Sequence, residues 1–146
     1  MRRIALALAL VLVALPALAR RERVPIRGQG KVLLVEATLN QRVTGWFILD
    51  TGASYCVISK ETAAEANLSG RKDGEKVTMS TANGAVQATV GQARRIDVGA
   101  MAGRDIAVAV VDHDPFPGLR GLIGLSFLQQ FKYSVDSRTN ELLLEQ

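Results

Sequence analysis

Trp46-Phe47-Ile48-Leu49-Asp50-Thr51-Gly52-Ala53-Ser54-Tyr55-Cys56-Val57-Ile58 sets an ionisable carboxylate between two segments that both read as core. A buried carboxylate is costly unless it is paired or hydrogen-bonded, and a turn facing open solvent needs no flanks this apolar. The chain must therefore turn tightly here, with the carboxyl held at the end of one strand. Two readings stay open on these residues alone. One is a turn in which the aspartate caps nearby backbone amides; the other is a site where the carboxylate does chemistry.

The rest of the chain is a series of short apolar runs broken by turn residues. Lys31–Leu39 and Val43–Leu49 read as strands around the turn Asn40-Gln41-Arg42, a hairpin pattern. Cys56–Ile58 is a short continuation, and Ser59 caps a helix over Lys60–Leu68, with Gly70 just beyond its end. Lys76–Ser80 and Ala85–Val90 flank Thr81-Ala82-Asn83-Gly84, and Asn-Gly between alternating segments is a strong hairpin signal. Ala93–Val98 and Asp105–Val111 read as strands joined by the turn Gly99–Gly103. Gly121-Leu122-Ile123-Gly124-Leu125-Ser126-Phe127-Leu128 is a second apolar unit, and a glycine inside such a run marks close approach by other backbone. A short helix follows over Leu125–Gln130, then strands over Phe131–Val135 and Glu141–Glu145. Roughly six to nine short strands with about one helix imply an all-β barrel or sandwich.

The beginning of the sequence reads differently. Arg2 and Arg3 precede an uncharged apolar run, Ile4 to Ala19, that ends Ala17-Leu18-Ala19. A basic start, an apolar run and a small-residue site describe a signal peptide over residues 1–19, cleaved after Ala19. The rival reading is an uncleaved N-terminal anchor, although the run falls short of the ~20 residues a spanning helix needs. The expected location is exported, periplasmic or secreted, with membrane attachment only if residues 4–19 are retained. Residues 20–30, beginning Arg20-Arg21-Glu22-Arg23, read as a solvated leader, and 31–146 as the folded domain. Loss of Arg2 and Arg3, with no acid lost, takes the formal charge from +4 to +2. No dense basic run with interleaved aromatics accompanies that charge, so nucleic acid is not an expected partner. The single cysteine, Cys56, has no internal disulfide partner and reads as a small buried hydrophobe.

Several chemistries fall away. His113, the only histidine, lies between Asp112 and Asp114 in a Pro-rich loop. A zinc site needs several spaced His or Cys ligands, a calcium loop needs a ligand spacing absent here, and no glycine-rich phosphate loop opens onto a helix. No metal and no cofactor are expected. Asp50-Thr51-Gly52-Ala53 remains. Two carboxylates forced within hydrogen-bonding distance share one proton, so that one acts as base and the other as acid. Asp73, Asp97, Asp105, Asp112, Asp114 and Asp136 are the other aspartates, and none precedes Thr-Gly or Ser-Gly. A two-fold homodimer would bring a second Asp50 to its axis.

The apolar-apolar-Asp50-Thr51-Gly52-Ala53-Ser54 motif, the Asn-Gly hairpin and the later Leu122-Ile123-Gly124 together resemble a retroviral-type, retropepsin-like aspartic protease. The likeness is to the single-domain kind also found in bacteria, and it runs from about Lys31 to Gln146. It implies a closed or partly open β-barrel, one lobe per chain, with a flap hairpin and one or two short helices. It further implies Asp50 as catalytic acid/base in a homodimeric endopeptidase acting on peptides or proteins. Thr51 would bond across the dimer axis, Gly52 would permit the tight turn, and Ala53 would complete the active loop. Thr81, Ala82, Asn83 and Gly84 would form the flap, and Leu122, Ile123 and Gly124 would pack behind the active loop. The terminal strand Glu141–Glu145 would have its edge paired at the dimer interface. Viral relatives carry an acid or amide shortly after that glycine, where this chain has Leu125-Ser126. The alternative is an inactive binding or dimerisation module of the cell envelope.

Overall fold

Alternation in Val43–Leu49 sets the orientation of everything near the carboxylate: Val43, Phe47 and Leu49 are buried, while Trp46 and Ile48 turn to the opposite face. The computed structural model describes residues 19–68, 74–81 and 84–146. Residues 1–18 of the expected signal peptide, Gly70, and Ala82 and Asn83 of the hairpin tip lie outside the described residues.

In chain order the strands are β1 Arg21–Gln29, β2 Val32–Leu39, β3 Val43–Leu49 and β4 Cys56–Ser59, followed by helix α1 Lys60–Glu65. Then come β5 Lys76–Thr81, β6 Gly84–Val98, β7 Met101–Val111, β8 Gly121–Ile123, helix α2 Leu125–Leu128, β9 Lys132–Asp136 and β10 Glu141–Glu145. They form one sheet in the order β5-β6-β7-β4-β8-β3-β2-β1-β10-β9. A further pairing of β6 with β2, Thr38 opposite Asp97 and Leu39 opposite Ile96, curls it into a partly closed barrel. The all-β barrel with two short helices agrees with the sequence reading. Val35, Leu39, Phe47, Ile96, Ile106, Ile123, Phe127, Leu142 and Leu144 fill its interior. Each such side chain contributes roughly 1.5–3 kcal/mol of burial free energy.

Local chemistry explains the connections. Asn40 and Gln41 take φ of 49° and 58° between β2 and β3, the left-handed pair a tight hairpin turn requires. The Asn40 amide donates to the Ala66 carbonyl at 3.1 Å and accepts from the Arg95 amide at 3.1 Å, tying the turn to α1 and β6. Ser59 caps α1 by accepting the Thr62 amide at 3.2 Å. That helix stops at Glu65, short of Leu68, because Asn67 adopts φ 48° and closes the end as a left-handed residue.

Three expectations need correction. Arg21–Gln29 is a strand, not a solvated leader: Val24 and Ile26 are buried, and the segment pairs with β10 through Arg21–Pro25 and with β2 through Ile26–Gln29. Consequently β10 has no open edge, since β1 lies on one side and β9 on the other. Leu142 and Leu144 find their partners in the chain's own core, so the terminal strand is not a free edge awaiting another subunit. The two strands expected over Ala85–Val90 and Ala93–Val98 are one, β6, paired with β7 from Ala88 to Val98. A strand interrupted by Gly91 and Gln92 looks broken by composition, but β7 supplies hydrogen bonds straight through it.

Candidate active site

Asp50 is the first residue after β3, where the strand has just run parallel to β8 with Phe47, Ile48 and Leu49 opposite Gly121, Leu122 and Ile123. Its amide extends that pairing by donating to the Ile123 carbonyl at 3.0 Å. The chain then turns back: the Gly52 amide donates to Asp50 Oδ1 at 2.8 Å, and the Ala53 amide approaches the Asp50 carbonyl at 3.4 Å. A Cβ at position 52 would stand 3.2 Å from Oδ1, so glycine keeps the pocket around that oxygen free. Asp50 as a residue is half-buried. One oxygen is thus fixed by the local turn, and Oδ2 has no hydrogen-bond partner among the described residues.

The segment β8–α2 braces this turn from behind. The Leu125 amide donates to the Ala53 carbonyl at 2.8 Å, and the Ser126 amide to the Ser54 carbonyl at 3.0 Å. Ser126 Oγ accepts the Cys56 amide at 2.9 Å. Gly124 meets the loop so closely that a Cβ there would collide with the Tyr55 carbonyl oxygen and lie 2.7 Å from that of Ala53. The glycine in Leu122-Ile123-Gly124 is therefore required by backbone packed against backbone. Gly121 has φ 152° and likewise abuts the Val57 carbonyl. The Gly124 amide also reaches Cys56 Sγ at 3.5 Å. Burial pushes the Cys56 thiol up from its ordinary value, opposed in part by Ser126 and nearby amides.

Thr51 is exposed and its hydroxyl has no partner among the described residues. Thr81 and Gly84 pair at the end of the β5–β6 hairpin, with Thr81 Oγ1 donating to the Gly84 carbonyl at 2.8 Å. The hairpin is linked to the residues flanking Asp50: Val77, Met79 and Val86 pack on an apolar band of Val57, Ala109 and Leu122, which reaches Ile48 and Ala53. Asp50 thus sits at one end of an apolar track and the hairpin at the other.

His113 and both its aspartate neighbours are exposed. Asp112 meets Lys60 at 3.3 Å on the surface, and Asp114 caps the Phe116 amide at 2.9 Å. No group of three or more His, Cys, Asp or Glu side chains that could hold a metal occurs among the described residues. Sequence reasoning missed one contributor to the face that carries Asp50, namely β1. The alternation of Val24 and Ile26 with Arg23 and Arg27 was a strand signal hidden by the surrounding charges.

Residues 35–130 match the model of the family described as "gag-polyprotein putative aspartyl protease". Among solved structures the chain is similar to a retropepsin-like aspartic protease from Rickettsia conorii, with 23% identity, a TM-score of 0.60 and coverage of 87% of this chain and 90% of that one. It is also similar to the retroviral protease-like domain of Ddi1 from Leishmania major, with 22% identity, a TM-score of 0.55 and coverage of 78% and 88%. At those identities the likeness is one of fold. No curated protein matches the chain.

Proposed function

Because this chain belongs to the gag-polyprotein aspartyl protease family, we propose that it is an aspartic endopeptidase in which two Asp50 carboxylates, one from each chain of a homodimer, activate a water. The observation that carries the reading is the state of Asp50: one oxygen held by the Gly52 amide, the other without a partner among the described residues, and the whole turn braced by Gly124–Ser126. One carboxylate alone is a weak base at neutral pH. Two at a symmetry axis cannot both stay ionised, so they hold one proton between them.

The steps then balance. The ionised carboxylate takes a proton from water as its oxygen bonds to the peptide carbonyl carbon. The protonated partner gives its proton to the carbonyl oxygen, forming a tetrahedral diol. Collapse breaks the C–N bond as a proton passes to the leaving nitrogen, and the single shared proton is restored. Thr51, exposed on this turn, would bond its counterpart across the axis. The β5–β6 hairpin would close over the peptide and exclude water, with the apolar band beneath it receiving side chains. The basic and apolar pattern of residues 1–19 supports action outside the cytoplasm.

Asp50→Asn tests this directly. Expected is loss of cleavage of an unstructured protein at mildly acidic pH, with the dimer retained in sedimentation. Equal cleavage by both forms, or cleavage by a species that sediments as a monomer, removes the second carboxylate and with it the mechanism.

A further inference from the structure

Trp46 and Ile48 share a face of β3, the strand that leads into Asp50, and the sheet extends that face across β2 to β1. Ile48 stands opposite Leu34, and Leu34 opposite Arg27. The Arg27 guanidinium lies over the Trp46 ring, 4.2 Å from its centroid. Arg27, Gly28, Leu34, Trp46 and Leu119 line a cleft of about 320 Å³. Leu119 reaches it because the next residue, Arg120, donates its amide to the Trp46 carbonyl at 2.8 Å.

Two features set this cleft apart from plain packing. Arg27 is exposed, and its guanidinium makes no hydrogen bond or ion pair with any described residue, its ring contact apart. Stacking engages the flat face of a guanidinium and leaves its N–H edge free, the edge that fits a carboxylate with two parallel bonds. Glu36 is the register neighbour of Trp46 and faces the same side, yet forms no ion pair with Arg27. Trp46 precedes Asp50 by four residues, about 13 Å along a strand, a length that about four residues of extended peptide also cover.

We infer that the Arg27–Trp46 cleft is a specificity subsite that takes an acidic side chain of the bound peptide, within about four residues of the cleaved bond. This rests on the peptidase reading, and in a two-fold dimer one such cleft would lie on each side of the bond. The indole wall and Leu34 accept the methylenes of glutamate, and the guanidinium edge takes its carboxylate.

Trp46 is the only tryptophan in the chain, so its fluorescence reports occupancy without any need for turnover. The probes are end-blocked, Trp-free decapeptides carrying glutamate or glutamine at each position in turn, titrated into full-length Asp50→Asn protein. At one or more positions the glutamate peptide should bind roughly three- to tenfold tighter than its glutamine twin, given the usual strength of partly exposed charged hydrogen bonds. Adding Arg27→Gln should erase that ratio, the glutamate and glutamine twins then binding alike. Equal binding of the twins at every position overturns the inference, as does a ratio that survives Arg27→Gln, or no Trp46 response to any peptide. Wild-type cleavage with no glutamate preference sinks the cleft alone. A glutamate-dependent Trp46 signal without cleavage sinks the peptidase reading alone.

Discussion

Gly124 packs against the Tyr55 carbonyl with no room between them for a methyl group, and a Cβ built there would also lie 2.7 Å from the Ala53 carbonyl oxygen. The obstacle on both sides is main chain, which cannot rotate away as a side chain would. The Asp50 turn and the strap behind it are thereby fixed at one separation.

Gly124→Ala should therefore destabilise the fold by about 3 kcal/mol, the upper end for an overpacked core site. Urea denaturation measures this. A cost below about 0.5 kcal/mol would mean that the loop and the strap are not in contact as described.

Ser126→Ala removes the acceptor of the Cys56 amide. An unpaired, part-buried N–H costs about 1–2 kcal/mol, and the effect should fall on the turn leading out of Asp50. The expected kinetic signature is a several-fold lower kcat with little change in KM. Ser126→Thr, which keeps the hydroxyl, should restore most of it. A variant with reduced stability but unaltered kcat would confine Ser126 to a structural role.

Deleting residues 1–30 takes β1 out of the sheet and opens β10 along Glu141–Glu145, stripping cover from the side of the core that holds Leu142 and Leu144. Such a chain should lose its cooperative thermal transition. Arg23→Ala, by contrast, removes only a 3.0 Å ion pair to Glu141 whose arginine is 66% exposed, and should shift stability by less than about 1 kcal/mol. If the deletion melts like the full chain, β1 is dispensable.

Burial raises the Cys56 thiol above its ordinary value of 9.0. A raised folded-state value favours the native form below the ordinary value, and the advantage is lost as pH climbs past it, since only the unfolded chain ionises freely. Between about pH 8 and pH 10 the wild type should thus lose more stability than Cys56→Ala, read as the change in urea midpoint of each. The native thiol should also resist alkylation until the protein unfolds. Rapid alkylation of the native protein would contradict the burial.

Much of this was legible in the sequence. β3 and β10 fall on the predicted residues, the hairpin forms around Thr81–Gly84, and glycine in Leu122-Ile123-Gly124 marks a close backbone approach. These features are local or depend on one residue type, so a one-dimensional pattern carries them. The strand β1 was hidden because Arg20-Arg21-Glu22-Arg23 dominates its composition. Its charges pair along one face, Arg21 with Glu145 and Arg23 with Glu141, and those partners lie more than a hundred residues away.

The sequence by itself determined that a carboxylate ends an apolar strand at a glycine turn, because alternation and turn chemistry act between near neighbours. Only the tertiary structure decided that the first strand closes off the last, that Ser126 holds the Cys56 amide, and that Arg27 lies over Trp46. Each of those depends on strands brought together by the barrel's closure. Contact between distant segments is set by how the whole core packs, and no short stretch of chain encodes it.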